Sequence, residues 1–352
     1  MSAKTTMLLL GSTGYVGGTV LYRLLNHPDA KTFEITTIVR EEAKAKKLEP
    51  YGVKTVIGSF KSDLALLTQE VEKVHIVFNC GEADDSAFIA AVLAGMKNRH
   101  TKTGDVPILI HTSGTAIITV GHETKGMAAT ETIYDDSNLE QMTNLPAEAL
   151  HRNVDLAVIK ADTEGKSQLE LTDSYLITPS TIFGVQKTPF VDAGIQNTHS
   201  IQIPWLIRAA LGRGQAGMVG KGLSIWNAVH IEDTADLYIV LYDAIVKNPE
   251  TVGHGKNGYY FAENGEYRWY DVSKAIGKAM VELGLSKSDE PTTFTTEELI
   301  KYWGFEWLGN LWGTNARGRA SHSRSLGWKP KYTVTDMLAS VKGEVEFYAK
   351  QK

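Results

Sequence analysis

Seven residues near the start of the chain, Gly11-Ser12-Thr13-Gly14-Tyr15-Val16-Gly17, have the types and spacing to hold a pyrophosphate. In a Gly-x-x-Gly-x-x-Gly turn one glycine permits the tight bend. Another lets backbone approach the phosphates, and the third lets helix and strand pack closely. A helix starting directly after the turn would aim its unpaired N–H groups and positive dipole end at the same phosphates. The spacing alone is a weak signal, but its context is strong. A strand-like run at residues 7–10 leads into the turn, an amphipathic stretch at 20–25 follows, and a second run rich in β-branched residues covers 33–39. Arg40 closes that second run. A carboxylate at this place suits the ribose hydroxyls of NAD, whereas an arginine accommodates the 2′-phosphate of NADP. Lys44, with Lys46 or Lys47, would add positive charge and Ser12 a hydroxyl, while Glu41 and Glu42 weigh the other way. The expected cofactor is NADP(H).

Such a turn works only if an ordered sheet presents it. Further short apolar runs at residues 53–57, 76–78, 108–111 and 174–178 alternate with helix-compatible sequence. Strand–helix alternation implies parallel strands joined by crossover helices. The expected fold is α/β, a Rossmann-type doubly wound parallel sheet with a smaller C-terminal substrate lobe. Residues 1–185 form the NADP-binding domain, with 226–262 returning to it; 186–225 and 263–352 form the lobe. A helix is expected around 205–211, another at 234–246, and strands at 226–231 and 258–262. The connection from 115 to 151 is long enough to be a lid or a binding element. Together with Trp205, Trp226, Tyr302, Trp303, Phe305, Trp307 and Trp312 it is expected to shape a substrate pocket, although a lobe core explains these aromatics equally well.

Composition sets the outer bounds. The 352 residues are 43% hydrophobic and 22% charged with a net charge of -5, which gives no basic surface suited to nucleic acid or an anionic membrane. Cys80 is the single cysteine, so an internal disulfide is impossible and a reducing compartment is expected. No secretory signal pattern opens the chain, and no apolar run approaches the roughly 20 residues that cross a bilayer. The expected location is cytoplasmic. No metal-binding motif is present.

Six ordered motifs resemble the extended and atypical short-chain dehydrogenase/reductase families, which include epimerase/dehydratase-like and NmrA-like members. They are the opening turn, Asn79-Cys80-Gly81, His111-Thr112-Ser113-Gly114, Thr178-Pro179-Ser180-Thr181-Ile182-Phe183-Gly184, Asn227 to Asp236, and Leu326-Gly327-Trp328-Lys329-Pro330. The resemblance implies that Asn79, Cys80 and Gly81 line the adenine, that Pro179 and Thr181 stand beside the nicotinamide, and that Ser113 holds the substrate oxygen. It also implies a tyrosine and, four residues later, a lysine on the helix expected over 153–167. Lys160 fits the lysine, anchoring the nicotinamide ribose, but Leu156 stands where the tyrosine belongs. Tyr270 with Lys274 and Tyr348 with Lys352 repeat the spacing far outside the cofactor half. Tyr134 is the alternative proton donor, and His122 and His151 read as surface or loop histidines. The expected function is hydride transfer between NADP(H) and a small, partly apolar carbonyl or alcohol compound, in a possible homodimer. The alternatives are a redox-sensing regulator that binds NADP(H) without turnover, and an epimerase or isomerase that uses bound cofactor transiently.

Overall fold

The computed structural model describes residues 4–165 and 172–351. The first half alternates strand and helix: β1 (Thr5–Leu10), α1 (Tyr15–Leu25), β2 (Phe33–Val39), α2 (Glu42–Leu48), β3 (Lys54–Ile57), α3 (Leu64–Glu72), β4 (Ile76–Asn79), α4 (Ser86–Thr103) and β5 (Ile108–Thr112). A long connection holds β6 (Tyr134–Asp135) and α5 (Leu139–Thr143), and leads to α6 (Arg152–Gly165), β7 (Asp173–Pro179) and β8 (Thr181–Phe183). Next come α7 (Pro189–Asp192), α8 (Gln202–Arg213), β9 (Gly217–Met218), β10 (Ile225–His230), α9 (Ile231–Lys247), β11 (Tyr259–Ala262) and β12 (Glu266–Arg268). The chain closes with α10 (Trp269–Glu282), β13 (Thr292–Thr293), α11 (Thr296–Trp303), α12 (Glu306–Gly309), β14 (Gly318–Arg319), α13 (Ser321–Ser325) and α14 (Val334–Ala349).

Seven strands form one sheet in the order β11-β7-β5-β4-β1-β2-β3, every neighbouring pair parallel. Parallel strands need helical crossovers, and these cover both faces. That explains why Met7 to Leu10 read as an unbroken apolar run: all four are fully buried. The chain runs outward from β1 to β3, then returns to β4 and proceeds the other way. The reversal opens a crevice beyond the carboxyl ends of β1 and β4, where open α/β sheets bind ligands.

The strand expected at 226–231 does not return to this sheet. It forms β10, parallel to β8 and antiparallel to β12, in a second sheet of three strands. The following helix α9 does return and packs on α1, and β11 closes the main sheet. α8, α10 and α14 pack together beside β10 and β12 as the smaller lobe. The expected helix over 153–167 is α6, and residues 166 and 167 lie outside the described residues.

The long connection after β5 is sewn down. Val120 bridges to Asn315, and β6 pairs with β14, so Tyr134 stands opposite Gly318. Asp136 then accepts from the Phe261 amide at 2.9 Å, which ties this segment to the outer edge of β11. The aromatic set divides. Trp226, Trp303 and Trp312 are buried in the lobe with Trp269, while Phe305 and Trp307 face solvent, being 61% and 59% exposed. The buried members are core, and Phe305 and Trp307 line no substrate pocket. Among the described residues no helix is long and apolar enough to cross a membrane.

Candidate functional site

The glycine turn joins β1 to α1 at the crevice. Gly11 has φ +83, and a Cβ there would stand 2.7 Å from the Cys80 carbonyl oxygen. A Cβ on Gly17 would stand 2.3 Å from the Gly11 oxygen. Turn, helix and the end of β4 therefore meet backbone to backbone. Helices α3 and α4 begin under side-chain caps from Asp63 and Asp85, but Gly14 gives α1 none, and no acidic residue follows in its first turn. The first N–H groups of α1 thus lie beside the crevice without an internal acceptor, in the arrangement that binds phosphate.

A cleft of about 370 Å³ runs from this turn. Gly11, Ser12, Thr13 and Gly14 form one side, Arg40 and Lys44 another, and Cys80 with Gly81 the floor. Ile38, Val39, Ser59, Phe60, Lys61 and Asn197 complete it, and the sequence reading named none of these. Phe60 lies against Gly81, its ring 2.9 Å from where a Cβ would be. An aromatic residue just after a strand would have been the available signal. Arg40 is exposed at the mouth. Lys44 bonds Glu41 at 2.8 Å, and that hydrogen bond holds the Glu41 carboxyl below its usual range. Across the cleft Lys61 pairs with Glu82. The residues present fit a dinucleotide: a backbone cradle for the pyrophosphate, an aromatic face, and cations at the ribose end.

Three expected contacts fall elsewhere. The Ser12 hydroxyl is buried and shares a 2.6 Å hydrogen bond with Thr37, so it is spent inside the sheet while its backbone lines the cleft. Tyr15 turns toward the second sheet and donates to the Gly184 carbonyl. Burial, with Glu344 and Glu232 nearby, raises its phenol well above the ordinary range. Val16 continues α1 as a partly buried residue packed on the core. Thr181 is fully buried and bonded to the Tyr267 hydroxyl at 2.7 Å, and Pro179 is buried at the end of β7, so neither side chain opens on the cleft.

Beyond the cleft floor a polar network fills the space under β5. The Asn79 side chain accepts from the amides of Gly81 and Glu82 and donates to the Glu82 carbonyl at 2.7 Å. Its second N–H meets His111 Nδ1 at 2.8 Å. Nδ1 is therefore the acceptor, and in neutral His111 the proton sits on Nε2. Nε2 faces Asp155 Oδ1 at 3.9 Å, both groups being completely buried. Burial, then the charge of His151, pushes the imidazole down to about 3. The other Asp155 oxygen accepts from Ser113 Oγ at 2.9 Å and from the Tyr259 hydroxyl at 3.0 Å. Arg152 meets the same Tyr259 hydroxyl. Burial pushes the Asp155 carboxyl up to about 6 against the opposing hydrogen bond from Ser113. The thiol of Cys80 is likewise pushed up to about 12 by burial.

The helix register departs from expectation. On α6 the buried positions include Arg152, Asp155, Val158 and Asp162, while Leu156 and Lys160 are exposed on the opposite side. Leu156 and Lys160 therefore lie off the side of α6 that packs inward, and neither lines the cleft at the glycine turn. The residues that meet the end of β5 are His151 and Asp155, also four apart. Spacing alone does not choose between these two i, i+4 pairs, because burial decides which side of a helix faces inward. Tyr134 is also removed from Ser113: β6 lies outside β11, and β7 stands between β11 and β5. Two strand spacings amount to roughly 10 Å, so the backbone of this segment stands apart from Ser113 by more than a direct contact.

His151 is no surface histidine. It precedes α6 with φ +71, its Nδ1 bonds Asp84 at 2.6 Å, and its side chain is 16% exposed. A Cβ on Gly114 would stand 2.9 Å from its Nε2. At the opposite end of the sheet Asp162, Asp173 and His254 gather within 4.8 Å, with His254 Nδ1 2.9 Å from Asp162.

No family model matches the chain. It is similar to an oxidase, ucsJ, of Acremonium sp, 28% identical over 334 residues that cover 91% of each chain. It is also similar to an uncharacterized protein of Schizosaccharomyces pombe, 23% identical over 95% of this chain and 98% of that one. Among solved structures, dTDP-glucose 4,6-dehydratase of Bacillus anthracis in complex with NAD superposes with a TM-score of 0.61 at 16% identity, covering 99% of this chain and 97% of the other. UDP-glucuronic acid 4-epimerase of Bacillus cereus, solved with UDP-glucuronic acid and NAD, gives 0.62 at 11% identity over 98% and 100%. UDP-glucose 4-epimerase of Thermotoga maritima, solved with UDP-glucose, gives 0.61 at 12% identity over 99% of each chain. The fold is that of the NAD-dependent epimerase/dehydratase type of extended short-chain dehydrogenases/reductases, as the six motifs implied.

Proposed function

We propose that the protein is an oxidoreductase that binds a nicotinamide dinucleotide, prefers NADP(H), and interconverts a small, partly apolar alcohol with its carbonyl compound. One observation carries this reading: the glycine cradle after β1 lines a cleft at the carboxyl edge of the sheet, the same edge at which β5 ends and Ser113 follows. The oxidase relative, matched over most of both chains, supports an oxidoreductase, and the NAD-bound structures of like fold support the cofactor class. Arg40 supports the phosphorylated form, since a guanidinium offers paired donors to a 2′-phosphate.

Bound in this cleft, a nicotinamide supplies hydride exchange at the carbon bearing the substrate oxygen. The chain's own groups must then hold that oxygen. Ser113 donates its proton to Asp155, so while Asp155 is ionised the serine turns lone pairs outward. Lone pairs accept from an alcohol O–H; they do not polarise a carbonyl. The geometry thus pairs Ser113 with an alcohol O–H, whereas the motifs implied a serine that polarises a carbonyl. Asp155, held by Ser113 and by Tyr259 backed by Arg152, fixes the serine rotamer.

The test is direct. Fluorescence titration should give tighter binding for NADPH than for NADH, and NADP⁺ should be reduced with members of a panel of primary and secondary alcohols. Binding of neither cofactor at millimolar concentration would remove the proposal.

A further inference from the structure

Two features of the chain are spent on one imidazole. His151 is held at φ +71, where a residue with a Cβ costs about 1–2 kcal/mol. Gly114 carries no side chain on the side where His151 Nε2 approaches, and any Cβ would collide with it. Asp84, from the loop between β4 and α4, takes the Nδ1 proton at 2.6 Å. That bond fixes the neutral tautomer: Nδ1 carries the hydrogen and Nε2 keeps its lone pair, aimed at the residue next to Ser113. A packing histidine needs neither the strained backbone nor the missing side chain.

We propose that His151, positioned by Asp84, is the proton-transferring catalytic residue, standing in for the tyrosine that α6 does not supply. The inference rests on the functional reading above. In the oxidative direction the substrate O–H turns from the Ser113 oxygen to His151 Nε2 and gives its proton there. The C–H hydride leaves for the oxidised nicotinamide, and the C–O bond becomes C=O. The products are a carbonyl compound, the reduced cofactor and an imidazolium, whose proton returns to solvent through its partly exposed edge. The reverse direction runs from the imidazolium.

The charges facing His151 suit both states. Asp84 approaches from the β4–α4 loop, neutral His111 from β5, and Asp155, with Arg152 behind Tyr259, from α6. Asp84 is the nearest, its carboxylate 2.6 Å from Nδ1. His151 thus accepts a proton without a bare positive charge developing beside the cofactor.

The experiment compares the full-length chain with His151→Asn and Asp84→Asn, using NADP⁺ and the alcohol panel. Asparagine tolerates the left-handed backbone but carries no titrating group. The expected result is a loss in kcat/KM of about 10²–10⁴ in His151→Asn with NADPH affinity within about twofold of wild type. Added imidazole should restore part of the variant's rate. Asp84→Asn should retain part of the turnover, because it removes only the orienting carboxylate. Turnover in His151→Asn within threefold of wild type, with no gain from added imidazole, would overturn the assignment and leave the oxidoreductase reading standing. A wild-type chain that binds NADPH and oxidises no panel member would overturn the reading itself, and the assignment with it.

Discussion

Ser113 and Asp155, 42 residues apart in sequence, share a 2.9 Å hydrogen bond in a space that solvent does not reach. The serine ends the central strand β5, and the aspartate lies on the inward side of α6. The bond makes the serine a donor to the protein and an acceptor toward a ligand, which sets the polarity of its contact with a substrate. It also places a carboxylate where water cannot solvate it, and stability must respond.

The Asp155 carboxyl, pushed up to about 6, stands above the ordinary value of 3.8. A raised carboxyl pKa means that protonation stabilises the folded chain: the contribution is full below about pH 4 and lost as pH rises through about 6. Between those limits wild-type stability should fall relative to Asp155→Asn by up to about 3 kcal/mol. Urea unfolding of both proteins at a series of pH values checks this. His111, depressed to about 3, works in the opposite sense, losing stability as pH falls below the ordinary histidine range, but it is present in both chains and largely cancels. A stability gap that does not change with pH would mean that the Asp155 carboxyl titrates alike in the folded and unfolded chains.

Gly11→Ala should abolish dinucleotide binding. The new methyl group would meet the Cys80 carbonyl at 2.7 Å, and the backbone would be strained at φ +83. Strain of this kind costs about 1–3 kcal/mol, and relieving it would move the phosphate cradle. NADPH fluorescence titration should show at least a tenfold loss with the chain still folded by circular dichroism. Binding within twofold of wild type would show that the cradle does not hold the cofactor.

Arg40→Ala separates the two cofactors. A charge-assisted hydrogen bond is worth about 1.5–3 kcal/mol, so NADPH affinity should drop roughly 10- to 100-fold while NADH affinity changes little. Lys44 cannot replace it fully, because Glu41 already holds its ammonium. Equal losses for both cofactors would assign Arg40 to the shared part of the dinucleotide.

Lys160→Ala and Tyr134→Phe should leave cofactor affinity and turnover within about twofold of wild type. Lys160 is exposed on the outer side of α6, and Tyr134 belongs to a strand beyond the far edge of the main sheet. A loss greater than tenfold in either variant would restore the tyrosine–lysine pattern read from sequence spacing.

Sequence alone determined the parallel α/β sheet and the cofactor turn, and the reason is local. Residues 7–17 make β1, the bend and the start of α1 from contiguous chain, so period and glycine spacing carry the whole instruction. Arg40 is legible for the same reason, since it follows β2 directly. What tertiary structure decided is which residues stand together at the end of β5. His151 and Asp84 come from different elements 67 residues apart, and Gly114 has meaning only because that imidazole approaches it. The inward side of α6 was settled by packing against β7 and α4, which placed Asp155 inside and Lys160 outside. The destination of β10 was decided in the same way, since an apolar strand pairs equally well with either sheet until its neighbours are in place. Contiguous chemistry is written in the chain, whereas chemistry assembled across it waits for burial to choose the partners.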